Sequence, residues 1–389
     1  MGLSMVKIPW IKAFIYYPFL FFCMFPFILG NPFAPSDIQP YALILAFIVC
    51  IINISLPTEC REYDKYFWPS LFLFVIATAV FLLSDFSVSA IRGFFNYCSV
   101  FFIPLALIYV FKDLKGIPEN FLKICVLIWF VVGAVQLFIS RGFATEFIAN
   151  ARWKDINRGV VGLASEPSFY GIACFYMLHL AQYFKQRKYF YYGLILMMGC
   201  IYAQSSLGII FIAFFWVFEV LDQLPRKKGI WMLSVTVIII FVFMYYLMTH
   251  LSGTRVYQLL ISFISEGTGG LEDDASVEIR YNTLYGAIEE AFSNYLVPIG
   301  FRGRIGSAYG GFLCELGFFA LPFLVSLSYM MSLTFHSRAI RFMYFFAFTM
   351  LMLNNTQMGN PLLLLVVATN AYYYEQTVNR ATLLFKKGF

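Results

Sequence analysis

The sequence predicts an all-α, polytopic integral membrane protein with about twelve transmembrane helices and one large loop outside the membrane. Three observations predict it. Of 389 residues, 61% are apolar and only 12% are charged, about half the charged share of a globular protein. The mean hydropathy is +0.77. The charges are gathered into short runs, and between them lie uncharged stretches near the ~20 residues that one bilayer crossing requires. A soluble enzyme, a disordered scaffold and a nucleic-acid binder are excluded, and residues 1–389 read as a single transmembrane domain.

Taken in order, the first span is Ala13 to Gly30. It follows Lys7 and Lys12 without a small-residue cleavage site, so it reads as a retained signal anchor. Ile38 to Leu56, Phe67 to Ser84, Gly93 to Phe111 and Ile124 to Ser140 come next. Val160 to Phe184 is a sixth span and contains one charge, Glu166. Tyr189 to Phe218 is uncharged for too long to be one helix, and its middle is polar: Gln204-Ser205-Ser206-Leu207-Gly208. Basic clusters at Lys185, Arg187 and Lys188 and at Arg226, Lys227 and Lys228 put both of its ends on one side, which makes it a hairpin. Trp231 to Thr249 and Ser307 to Met331 are single spans. Phe342 to Tyr374 is a second hairpin, broken over Asn354 to Pro361.

Positive charge marks cytoplasmic loops, and this count puts both termini on that side. Nine of the 27 Lys and Arg residues then fall outside: Arg92, Arg141, Arg152, Lys154, Arg158, Arg255, Arg280, Arg302 and Arg304. Eight of these nine belong to two loops, so the net charge of +6 matters less than where its disfavoured part gathers. The eight cysteines form no disulfide framework, since seven lie in apolar runs and Cys60 has no CxxC partner.

The first of the two loops, 141–159, is short and basic and leads directly into Glu166. A carboxylate inside a span is costly unless it faces a wet cavity or a cation, which makes it a functional candidate. The alternatives are a structural ion pair with Arg152 or Arg158, or a cap on a helix broken at Pro167. The second loop, 251–306, is the large one. In Asp273 to Phe292 the apolar residues Val277, Tyr281, Leu284, Ile288 and Ala291 recur at helical spacing, with Arg280, Glu289 and Glu290 off the stripe. Ser265 to Gly270 reads either as part of a lid or as a solvated loop. Pro298 to Gly306 has glycine at every third position, with Arg302 and Arg304 between. Such a turn lets backbone N–H groups and guanidinium forks meet an anion.

Other chemistries fall away. His179 and His336 lie near one face and His250 near the other, so no histidine metal trio forms. Glu272-Asp273-Asp274 reads either as a divalent-cation site or as a solvated helix start. There is no Walker loop and no GxSxG elbow. What remains is anion handling by arginine beside a carboxylate at the outer face, which suits a lipid-linked diphosphate as leaving group.

These residues resemble a known family. Ser165-Glu166-Pro167-Ser168-Phe169-Tyr170-Gly171 looks like the EPS motif of O-antigen and capsule repeat-unit polymerases of the Wzy type. Gln204 to Gly208 is similar to the family's polar "SxxG" helix start. Asp274-Ala275-Ser276-Val277-Glu278-Ile279-Arg280 matches its "DxSxxxR" run in the large periplasmic loop. The resemblance extends over Arg141 to Gly317. It implies an inverting, metal-independent glycosyltransferase of the C superfamily, without cofactor, in the bacterial inner membrane. Such an enzyme transfers a growing glycan from undecaprenyl diphosphate to the non-reducing end of a new lipid-linked repeat unit in the periplasm. The partners implied are that lipid-linked oligosaccharide, membrane lipid and a chain-length regulator protein. Related O-antigen ligases carry a "HN" pair where this chain has Tyr309, a departure that favours polymerase over ligase. On this reading Glu166, Arg280 and Tyr309 are the catalytic candidates, and Arg152, Arg158, Arg280, Arg302 and Arg304 the diphosphate-binding ones. A flippase for the same lipid-linked sugar is the alternative from another class.

Overall fold

The computed structural model of the chain describes residues 10–30, 36–54, 60–154, 159–224, 286–301, 308–352 and 359–386. Among them there is no strand, only an isolated bridge between Ile28 and Ile148. The helices are α1 (Trp10–Met24), α2 (Tyr41–Ile52), α3 (Arg61–Leu82), α4 (Val88–Asp113), α5 (Glu119–Phe138), α6 (Pro167–Ala181), α7 (Lys188–Met197) and α8 (Ser206–Gln223). They continue with α9 (286–293), α10 (Ala308–Leu316), α11 (Leu321–Ser332), α12 (Arg338–Met352) and α13 (Pro361–Lys386). Among the described residues, five stretches are long and apolar enough to cross a membrane: α3, α4, α5, α8 and the run Tyr309–Ser332 through α10 and α11. The span Trp231 to Thr249, the acidic run Glu272-Asp273-Asp274, Ser265 to Gly270 and the first half of the amphipathic stretch lie outside the described residues. Where that stretch is described, Ala287 and Ala291 are buried while Glu289 and Glu290 are exposed.

Burial divides the helices into a centre and a rim. Every residue of α6 is buried, as is the run 361–371 of α13 and most of α4. α3 and α5 instead turn Phe72, Val75, Leu82, Ile124, Val131 and Phe138 outward. A helix that is apolar all round and enclosed by others belongs to the core of a bundle, and α6 holds that place, packed chiefly against α8.

Several spans differ from their hydropathy limits, each for a local reason. α1 stops at Met24, and Phe25 to Gly30 leave the helix: Ala149 N donates to the Phe27 carbonyl at 2.8 Å and Leu29 N to that of Phe147 at 2.7 Å. Val160 to Phe184 is helical only from Pro167. Gly162 has φ +57°, and the residue before a proline is pushed to extended backbone; Glu166, at φ −151° and ψ 161°, obeys. Glu166 thus stands at the N-cap of α6, the position that the capping alternative gives it. The first hairpin is broken where expected, with Gln204 at φ +43°, and a π-helical turn, Met198–Tyr202, precedes the break. Ser307 to Met331 is interrupted at Gly317, φ +60°, where a Cβ would lie 2.0 Å from the Leu296 carbonyl oxygen.

Candidate functional site at the head of α6

The irregular segment 159–166 is buried, so its backbone polar groups need partners within the protein. Gln136 of α5 supplies two of them: it accepts from Gly162 N at 2.8 Å and donates to the Gly162 carbonyl at 2.8 Å. Val160 N donates to the Tyr202 carbonyl at 2.8 Å. Arg152 N donates to the Ser165 carbonyl at 2.7 Å, which brings the basic loop against the start of α6. The rings of Phe25, Trp129 and Tyr170 stack in sequence, at centroid spacings of 5.9 and 5.4 Å, and hold the segment that follows α1 against α5 and α6.

α6 and α8 meet through glycine. A Cβ on Gly171 would lie 2.5 Å from the Gly208 Cα, and one on Gly208 would lie 2.6 Å from the Gly171 Cα. Only two glycines allow backbones this close. The Ser-Glu-Pro-Ser stretch and the Gln204 to Gly208 break, 38 residues apart in sequence between Glu166 and Gln204, thus sit on adjacent helix heads. Ser205 caps α8 by accepting from Gly208 N at 3.4 Å.

At the head of α6 five side chains form one row, joined by hydrogen bonds and an ion pair. Asn150 Nδ2 donates to Asp37 Oδ1 at 3.3 Å. Arg152 Nη2 lies 3.5 Å from Asp37 Oδ2, and Arg152 Nη1 donates to Glu166 Oε2 at 2.9 Å. Ser168 Oγ donates to Glu166 Oε1. The two acidic side chains are 13% and 12% exposed and the Arg152 side chain is 47% exposed, so the row is rooted in protein and opens at the arginine. The positive end of α6 adds to the field at Glu166.

Compared with protein-family models, curated proteins and solved structures, the chain matches none of them.

Of the residues singled out from sequence, the structure joins Arg152 and Glu166. Arg158, Arg280, Arg302 and Arg304 lie outside the described residues. Tyr309 does not join the row. It is 1% exposed, and its hydroxyl bonds Ser328 Oγ at 2.7 Å and the Leu324 carbonyl at 3.4 Å. Two acids were missed. Asp37 stands in the loop between α1 and α2, and no sequence signal marks it. Glu315 did carry a signal, being an acid inside the span Ser307 to Met331, where the rule applied to Glu166 applies equally. It is 4% exposed and accepts from the Tyr97 hydroxyl at 2.5 Å; among the described residues no cation is within ion-pair distance. Phe301 lies over this pair, 5.5 Å from the Tyr97 ring, because Ile299 N and Gly300 N donate to the carbonyls of Cys314 and Glu315.

Proposed function

We propose that this chain is an inverting, metal-independent glycosyltransferase that polymerises undecaprenyl-diphosphate-linked repeat units at the periplasmic face of the inner membrane. Twelve spans and cytoplasmic termini belong to the same reading. The observation that carries it is the Arg152–Glu166 pair, a mostly buried carboxyl group held by a half-exposed guanidinium at 2.9 Å, between loops that the charge pattern assigns to the outer side. The contact of Gly171 with Gly208 supports it further, since it joins two of the stretches that resemble the polymerases.

In the proposed reaction a hydroxyl oxygen of the acceptor repeat attacks C1 of the donor's reducing-end sugar from the face opposite the phosphate. The C1–oxygen bond to the diphosphate breaks, and undecaprenyl diphosphate leaves with the electron pair. Arg280, with Arg158 and Arg302 or Arg304, neutralises the charge that develops on it. Glu166 orients the hydroxyl or takes its proton. Both of its oxygens already accept hydrogen bonds, so the acceptor hydroxyl must replace one of the present donors.

Replacing Glu166 or Arg280 with alanine is expected to convert long-chain polysaccharide into single repeats while the protein stays in the membrane. Normal ladders from both variants would reject the assignment. Polymer made in a reconstituted system from substrate supplied only on the outer side would exclude a flippase.

A further inference from the structure

The row at the head of α6 is poorly suited to a phosphate. The guanidinium fork that would meet two phosphate oxygens already meets two carboxyl groups, Glu166 through Nη1 and Asp37 through Nη2. An arriving diphosphate would find two acidic groups for one basic group, where anion recognition needs the opposite balance. What the row does offer is alternation. Asn150 amide, Asp37 carboxyl, Arg152 guanidinium, Glu166 carboxyl and Ser168 hydroxyl follow one another as donor, acceptor, donor, acceptor, donor. A sugar hydroxyl is donor and acceptor at once, so two neighbouring hydroxyls can each accept from the guanidinium and donate to one flanking carboxyl. Directly before Glu166, the Ser165 hydroxyl is fully buried and has no hydrogen-bond partner among the described residues, a state that native proteins seldom leave unfilled.

Resting on the polymerase reading, we propose that Asp37, Arg152 and Glu166 form one clamp for neighbouring hydroxyl groups of the incoming repeat unit. Asp37 is a specificity-determining residue of that clamp. Arg152 bridges the two carboxyl groups and is not a ligand of the diphosphate. Three chain segments, carrying Asp37, Asn150 with Arg152, and Glu166 with Ser168, converge to make it, and the exposed guanidinium is where the sugar enters.

The test uses the full-length protein in nanodiscs, with lipid-linked repeat units isolated from cells lacking this chain as substrate and inorganic pyrophosphate as inhibitor. Asp37→Ala and Arg152→Gln should each raise KM for the lipid-linked repeat about tenfold, the equivalent of one lost hydrogen bond to a charged group. The inhibition constant of pyrophosphate should stay within about twofold of wild type. Because the two residues share one cluster, the double variant should fall short of the product of the singles. Asp37→Asn, which keeps the shape of the side chain, replaces the alanine variant should that one fail to fold. A rise of tenfold or more in the inhibition constant of pyrophosphate in Arg152→Gln would make Arg152 a diphosphate ligand and overturn the clamp. So would an unchanged KM in the Asp37 variants. Wild-type protein that neither forms polymer nor binds pyrophosphate would overturn the polymerase reading itself, and the clamp with it.

Discussion

Glu166 owes its position to the residue that follows it. Proline at 167 fits the first turn of a helix, where no N–H is needed, and forces the preceding residue out of helical backbone; the carboxyl group is thereby turned toward Arg152 instead of lying along α6. The position also depends on Gln136, whose amide satisfies both backbone groups of Gly162. Gln136→Ala leaves those buried groups unpaired and should cost ~1–3 kcal/mol, read as a lower midpoint of thermal unfolding in detergent; an unchanged midpoint would mean that segment 159–166 is held by other means. At this scale legibility was uneven. Glu166 was visible as an acid in an apolar stretch, and Glu315 was equally visible as an acid within the span Ser307 to Met331. Asp37 was not visible, because its importance comes from a contact with Arg152 across 115 residues of sequence, which no local pattern encodes.

Among the elements, the pair α6 and α8 is the most exposed to single substitutions. Gly171→Ala or Gly208→Ala places a methyl group about 2.5 Å from opposing backbone, which cannot move aside as a side-chain tip can. The helix heads must separate, at ~1–3 kcal/mol for overpacking. Both variants should lose thermal stability and chain elongation together, whereas Gly193→Ala, where nothing lies within 4 Å, should change neither. Hydropathy located most of the described helices but misjudged their ends. Phe25 to Gly30 is as apolar as the helix it follows, and 159–166 is as buried as the helix it precedes. Burial reads the same for helix and for irregular backbone whose hydrogen bonds are met elsewhere, so those ends were set by partners distant in sequence. The break at Gln204 was legible because polar residues with a glycine interrupt the run itself.

Across the whole molecule, helix ends that the charge pattern assigns to one side meet at one end of the bundle. Lys12 pairs with Asp113 at 2.6 Å, and Lys188 with Glu219 at 3.2 Å. Glu62 N donates to Glu375 at 3.1 Å. Asp222 accepts from His336 N and Ser337 N ahead of α12. The opposite end gathers the loops around Asp37, Arg152 and Phe301. A membrane-impermeant maleimide added outside intact cells should therefore label Lys154→Cys, which is exposed, but not Lys115→Cys, also exposed; the reverse pattern would invert the topology. Chain growth on purified lipid-linked repeats should persist in EDTA, and its loss would bring a metal into the mechanism. The fixing of α1 at both extremities has a mechanical consequence. One end is tied by Lys12 and Tyr16 to Asp113, the other by the Met24 carbonyl to Trp129 and by the Ile28–Ile148 bridge to the basic loop. A rod clamped at both ends transmits a displacement instead of absorbing it. Lys12→Ala, twelve residues before the end of α1 at Met24, should thus loosen Arg152 at the other end of that helix, measurable as faster hydrogen exchange in 147–152 with the sugar-handling residues untouched.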